Sequence, residues 1–196
     1  MEAEHSGAGH RLVLVSGPSR GGKSRWAEHL ASQSGLPVLY LATGATSDRS
    51  PDQGWRARVE AHRRRRPSHW QCLETGPDLA AALEERLHPD HRQHHHLQLI
   101  DSLGSWLAWH LEEDDLSWQR RCDQLLALLQ RPGPPVLLVV EETGWGVVPS
   151  TAIGGLFRDR LGALQQRLMP DCNGAWLVVA GRALDLLRWG QAVPEA

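Results

Sequence analysis

Leu12-Val13-Leu14-Val15-Ser16-Gly17-Pro18-Ser19-Arg20-Gly21-Gly22-Lys23-Ser24-Arg25-Trp26-Ala27 is the stretch on which the fold turns. It opens with an apolar run short enough for a buried strand. The glycines at 17, 21 and 22 then let the backbone curl so that successive N–H groups point inward at anionic oxygens. From Arg25 to Ser34, residues Trp26, Ala27, Leu30 and Ala31 share one helical face, and Gly35 with Pro37 beyond it marks the stop.

Gly-x-x-x-x-Gly-Lys-Ser over Gly17–Ser24, in strand–loop–helix order, is the spacing of a P-loop. The helix N-terminus adds its dipole and free donors. Lys23 is placed to reach the β- and γ-phosphates of a nucleoside triphosphate, and the Ser24 hydroxyl to complete a Mg²⁺ shell. Of 21 basic side chains, Lys23 is the one lysine; the other 20 are arginines. The two are not interchangeable where a compact point charge must fit a tight site.

Working outward, four more short apolar runs read as strands: Val38–Ala42, Leu97–Ile100, Val136–Val140 and Trp176–Ala180. They are continuous rather than alternating, the pattern of parallel strands covered on both faces. Helical patterns fall between them at Asp78–Leu87, Ser102–Leu111, Ser117–Gln130 and Thr151–Met169. In the third of these Ser117 reads as the N-cap. Strands alternating with helices give an α/β fold. We expect a P-loop NTPase-like three-layer sandwich with a mainly parallel central sheet, formed as a single domain over residues 1–196, with 1–10 flexible. Residues 44–54 read as a mobile surface loop. The His-rich stretch 88–96 reads as low-complexity loop rather than a metal site, since no scaffold fixes its geometry.

The 196 residues are 41% hydrophobic and 22% charged, with a net charge of −2. That balance is ordinary for a globular protein and argues against a nucleic-acid binder, which carries a basic excess. No apolar stretch approaches the roughly 20 residues that span a bilayer. The N-terminus lacks the basic and apolar regions of a secretory signal. Three widely spaced cysteines, Cys72, Cys122 and Cys172, fit a reducing cytoplasm.

A Mg²⁺-dependent P-loop enzyme also needs an acid at the end of a neighbouring strand. Asp101 closes the third run, and Glu141 and Glu142 close the fourth, where open α/β sheets bind ligands. Asp101 is the favoured metal partner with Ser24. The most charged segment is 56–70, which contains His62 followed by Arg63, Arg64, Arg65 and Arg66. Clustered guanidinium groups in such a protein meet phosphates. A neutral imidazole beside them can attack phosphorus and hold the group as a phosphoramidate, with neighbouring positive charge disfavouring its protonated form.

Together the motifs resemble the bifunctional adenosylcobinamide kinase / adenosylcobinamide-phosphate guanylyltransferase family of cobalamin biosynthesis. The resemblance runs from Leu12 to about Gly181. It is carried by Gly-x-x-Arg-x-Gly-Lys-Ser-Arg at 17–25, Arg58-Val59-x-x-His62, Arg66-Pro67-x-x-Trp70 with Glu74, and Ile100-Asp101-Ser102-Leu103. Further on come Glu142-x-Gly144-x-Gly146-Val147-Val148-Pro149 and Phe157-Arg158-Asp159-x-Leu161-Gly162. The resemblance implies catalytic roles for His62, as the guanylylated nucleotide carrier, and for Lys23. It implies nucleotide contacts at Gly17, Pro18, Ser19, Arg20, Gly21, Gly22, Lys23 and Ser24, at Ala42, Thr43 and Gly44, along Arg63–Arg66, and at Glu74 and Asp101.

The family pattern departs here at Glu141, which stands where Asn is usual, and at Gln165-Gln166 in place of Asn-Gln. The implied cofactors are ATP, GTP and Mg²⁺, and the implied partner is a corrinoid small molecule, in a homo-oligomer. Trp55, Trp106, Trp109 and Trp145 are candidates for an apolar corrinoid surface. Two alternatives remain: a kinase-only member, and a P-loop nucleotide switch that makes no small-molecule product.

Overall fold

The computed structural model describes residues 11–45, 53–88, 90–91, 95–146 and 151–194, apart from the side chains at 55, 58 and 87. The expectations for residues 1–10, for Trp55, for most of the 44–54 loop and for much of the 88–96 tract therefore lie outside the described residues.

The chain alternates strands and helices: β1 (Leu12–Gly17), α1 (Lys23–Gln33), β2 (Val38–Ala42), α2 (Gln53–Arg65), β3 (Gln71–Glu74), α3 (Leu79–Leu87) and β4 (Leu97–Asp101). Then come α4 (Leu103–Trp109), α5 (Asp115–Gln130), β5 (Val136–Glu141), α6 (Ala152–Leu168), β6 (Gly174–Val179), β7 (Arg182–Asp185) and α7 (Leu186–Trp189). The seven strands lie in the order β3-β2-β4-β5-β1-β6-β7. All pair in parallel except β7, which returns antiparallel along β6.

Alternate residues of each central strand enter two cores, which is why those strands read as unbroken apolar runs. Leu12, Leu14, Leu39, Leu41, Ile100, Leu138 and Val140 pack on one face beneath α3, α4, α5 and α6. Val13, Val15, Val38, Leu99, Leu137 and Val139 pack on the other against Ala27 and Ala31 of α1. Each fully buried Leu among them stabilises the fold by roughly 1.5–3 kcal/mol.

The expected three-layer α/β architecture is the one found, with two strands added. β3 and β7 are four residues each, and neither contains a fully buried residue. Edge strands of this kind lack the apolar run on which strand assignment rests. The start of α5 also differs from expectation. Asp114 is its N-cap, and its carboxylate accepts the Ser117 N–H at 2.8 Å. Ser117 lies inside the first turn.

Candidate active site

Loop 17–22 joins β1 to α1 and curls through left-handed backbone at Arg20 (φ 61°) and Gly22 (φ 107°). Alternation of this kind makes a concave nest of main-chain amides. The glycines have a second reason to be there. A Cβ on Gly17 would lie 2.2 Å from the carbonyl oxygen of Val178, and one on Gly21 would lie 2.7 Å from it. The β6–β7 hairpin therefore packs directly against the loop, and the Gly181 N–H donates to the Gly21 carbonyl at 3.3 Å.

Parallel pairing brings the carboxyl ends of β2, β4, β5 and β1 to one edge. Gly17 registers with Glu141, Val139 with Asp101, and Asp101 with Ala42. A cavity of about 590 Å³ opens at this edge. Ser19, His62, Asp101 and Glu141 line its polar wall, and Ala108, Trp109 and Phe157 its apolar wall. Residues distant in sequence thus meet where an α/β sheet offers its ligand crevice.

Asp101 is the hub. Its Oδ2 lies 3.5 Å from His62 Nδ1 and accepts the Tyr40 hydroxyl, and the Ser24 hydroxyl lies beside the carboxylate. Burial pushes the Asp101 carboxyl upward, but the bonds from His62, Tyr40 and Ser24 outweigh it and hold the group below its ordinary value. Burial, followed by the Asp101 charge, raises the Tyr40 phenol well above its own usual value, so it stays protonated and donates. A depressed native carboxyl contributes stability that is present above its unfolded value, about 4, and lost as pH falls through the native one. Acid denaturation followed by circular dichroism should therefore be steeper in wild type than in Asp101→Asn.

Glu141, partly buried, is the second acid of the site. Its Oε2 accepts the Gly104 N–H at 3.0 Å, while Oε1 lies 4.0 Å from Lys23 Nζ. Burial raises its carboxyl above the ordinary range, partly offset by the Lys23 charge. Lys23 itself is 3% exposed and sits at the first position of α1.

The structure sorts the remaining expected residues. Ala42 and Gly44 line the cavity, as do Arg63, Arg66 and Glu74. Thr43 is fully buried. Its hydroxyl donates to the Ser102 carbonyl at 2.6 Å and accepts the Ser102 N–H at 2.9 Å, so it locks β2 to β4. The four arginines do not form one phosphate array. Arg63 pairs with Glu74 at 2.8 Å, Arg64 with Glu60 at 3.1 Å, and Arg65 with Glu28 of α1 at 3.2 Å. Arg66 lies over the Tyr40 ring, 3.5 Å from its centroid. Consecutive helical residues point about 100° apart, so neighbours in sequence cannot all face one ligand. His62, expected to sit among positive charge, faces a carboxylate instead: its Nδ1 lies 3.5 Å from Asp101 Oδ2.

Trp106 is also corrected. It is 1% exposed in the core and donates to the Pro77 carbonyl at 3.1 Å, so it presents no surface. Trp109 and Trp145 are exposed, and the indole N–H of Trp109 donates to the Thr43 carbonyl at 2.8 Å. Tyr40 and Gly104 escaped the sequence reading. The only signal was a hydroxyl inside the otherwise apolar run 38–42.

Ser24 and Asp101 offer the hard oxygens that Mg²⁺ takes. Among the described residues no group of three or more His, Cys, Asp or Glu side chains could hold a metal. An ion here would therefore be completed by substrate phosphates, as is usual for Mg²⁺.

The family model for cobinamide kinase / cobinamide phosphate guanyltransferase matches residues 13–186. The chain belongs to that family. It is 37% identical over 176 residues to the bifunctional adenosylcobalamin biosynthesis protein CobP of Pseudomonas aeruginosa, an alignment covering 88% of this chain and 95% of the relative. It is 32% identical over 184 residues to the bifunctional adenosylcobalamin biosynthesis protein CobU of Escherichia coli, covering 87% and 96%. It is 34% identical over 181 residues to CobU of Salmonella typhimurium, covering 87% and 96%.

Solved structures share the fold of this family member at much lower identity. An ATPase from the type III secretion system of pathogenic bacteria matches with a TM-score of 0.52 at 11% identity, over 93% of this chain and 59% of that one. A Pyrococcus horikoshii protein matches with a TM-score of 0.56 at 8% identity, over 90% and 85%.

Proposed function

We propose that this chain performs both reactions for which its family is named, on one corrinoid substrate in one cavity. In the first, the aminopropanol hydroxyl of adenosylcobinamide attacks the γ-phosphate of ATP or GTP and gives adenosylcobinamide phosphate. Lys23 and the loop amides of Gly17–Ser24 grip the phosphates and stabilise the charge that develops on them. Ser24 and Asp101 would hold Mg²⁺, which when bound neutralises phosphate charge. Trp109 and Phe157 give the cavity an apolar wall against which a corrinoid can pack.

In the second reaction His62 attacks the α-phosphorus of GTP and pyrophosphate leaves. The substrate phosphate then attacks the guanylylated histidine and gives adenosylcobinamide-GDP. With Nδ1 engaged by Asp101, Nε2 is the nitrogen placed to act as nucleophile, and the carboxylate orients the ring. This contact, in the same cavity as the P-loop, is the observation that carries the proposal. It favours the bifunctional reading over a kinase that has lost guanylyl transfer. A nucleotide switch has no use for a histidine and carboxylate poised over its phosphate loop.

Arg63 and Arg66 are the arginines we propose for nucleotide contact, with Glu74 orienting Arg63. We carry forward a cytoplasmic location and a homo-oligomer as proposals. The described cysteines are unbonded, and no described helix is long and apolar enough to cross a membrane.

Mass spectrometry after incubation with adenosylcobinamide, ATP, GTP and Mg²⁺ tests the whole reading. Adenosylcobinamide-GDP is the expected product. Accumulation of adenosylcobinamide phosphate alone would leave only the kinase, and unchanged substrate would refute both steps.

A further inference from the structure

The residues assigned above lie on one flank of the phosphate loop. In the sheet, β5 and β4 stand on one side of β1 and β6 stands on the other. The cavity with His62 and Asp101 opens on the β5 and β4 side. On the β6 side lies a cleft of about 510 Å³, whose walls include Gly22, Arg25, Trp26, Val178, Gly181 and Arg182. The cleft and the cavity share no lining residue. Its two walls are tied together, because the Gly181 N–H donates to the Gly21 carbonyl at 3.3 Å. A Cβ on Gly181 would meet nothing within 4 Å, so the hairpin turn leaves that side open. Arg25 folds back over the loop, and a Cβ on Gly22 would lie 3.5 Å from its Nη2. Trp26 is held in edge contact with Trp176, ring centroids 5.2 Å apart. Arg25 and Arg182 are exposed. Arg63, Arg64 and Arg65 are paired, whereas neither Arg25 nor Arg182 makes an ion pair with a described carboxylate.

We propose that this cleft seats the nucleoside of the phosphoryl donor in the kinase step, and that the guanosine of the second reaction lies on the opposite flank, in the cavity with His62. The proposal rests on the two activities proposed above. Those reactions attack opposite ends of a triphosphate. The acceptor hydroxyl meets the γ-phosphorus and His62 meets the α-phosphorus, both from the same cavity. One pose cannot present both ends there. With the γ end turned to the cavity and Lys23 on the β- and γ-phosphates, the α-phosphate passes the first turn of α1 and the nucleoside falls between Arg25 and Arg182. Turned about, the α-phosphorus faces His62 and the nucleoside occupies the cavity. The cleft has the size of a small-molecule site. Guanidinium planes stack on purine faces, so adenine and guanine fit it alike.

Arg25→Ala/Arg182→Ala removes both guanidinium groups and leaves Lys23, Ser24 and the loop glycines in place. The KM for ATP in phosphorylation of adenosylcobinamide should rise about 10-fold or more, with kcat within about threefold of wild type. The KM for GTP as phosphoryl donor should rise equally. The concentration of [α-³²P]GTP that half-saturates labelling of His62 should stay within about threefold, since that guanosine sits on the other flank. Inorganic tripolyphosphate, which has no nucleoside, separates a lost contact from a distorted loop. Its Kd by calorimetry at physiological ionic strength, where distant exposed charges are screened, should also stay within about threefold. A KM for ATP within about threefold of wild type overturns the proposal. So does equal weakening of tripolyphosphate, which marks a damaged loop, or of His62 labelling, which marks a single seat for both reactions. A wild type that makes no adenosylcobinamide phosphate fails the kinase reading itself. A nonhydrolysable ATP analogue then tests the seat by its Kd, raised about 10-fold in the double variant if the nucleoside lies there and unchanged if it does not.

Discussion

Incubated with [α-³²P]GTP and Mg²⁺, the wild-type chain should acquire acid-labile, base-stable label, and His62→Ala should acquire none. Formation of adenosylcobinamide-GDP should drop by at least about 10⁴-fold in the variant, since a covalent route loses its nucleophile outright. The kinase step should survive, because the triphosphate is held by β1, the loop and α1, whereas His62 comes from α2. The split follows from the geometry. His62 lines the shared cavity from α2, with its Nδ1 3.5 Å from Asp101 Oδ2, and is not part of the phosphate loop itself. Equal loss of both activities in His62→Ala would mean that the histidine supports the cavity rather than the chemistry.

Lys23→Ala should have the complementary effect on the kinase. The ammonium is buried at the loop–helix junction, and no second lysine can replace it. We expect phosphorylation of adenosylcobinamide to fall on the order of 10³-fold, in kcat more than in KM, because the charge it meets grows in the transition state. Removing the lysine also leaves the partly buried Glu141 without its counter-ion. Thermal stability of the nucleotide-free protein should therefore change little or fall, while protection by added ATP, which depends on binding, should largely vanish. Retained turnover with adenosylcobinamide would refute the role given to Lys23.

How much of this was legible in advance depended on distance along the chain. The phosphate loop was legible because strand, glycines, lysine and helix are contiguous, and every one of them lies where the pattern put it. The central strands were legible because burial on both faces writes itself as an apolar run. β3 and β7 were not, since edge strands half in water carry no such signal. The hub at Asp101 was half legible. The acid at a strand end could be named, but its Tyr40 and His62 partners arrive from β2 and α2 through pairing and packing that no local spacing encodes.

The arginine run misled for the same reason. Proximity in sequence suggested one cluster, and helical geometry sent Arg64 and Arg65 to Glu60 and Glu28 instead. Trp106 shares the helical spacing of Leu103 and Leu107, which already set it apart from Trp109, and the packing of α4 on the sheet buries the one and exposes the other.

The central claim, that one cavity holds the triphosphate and delivers its nucleotide to His62, is tested most directly by locating the adduct. After brief reaction with GTP and digestion at alkaline pH, peptide mass spectrometry should find one guanylyl group, on the peptide that contains His62 and on that side chain. A guanylyl group on any other residue, or none on a chain that still forms adenosylcobinamide-GDP, would contradict it.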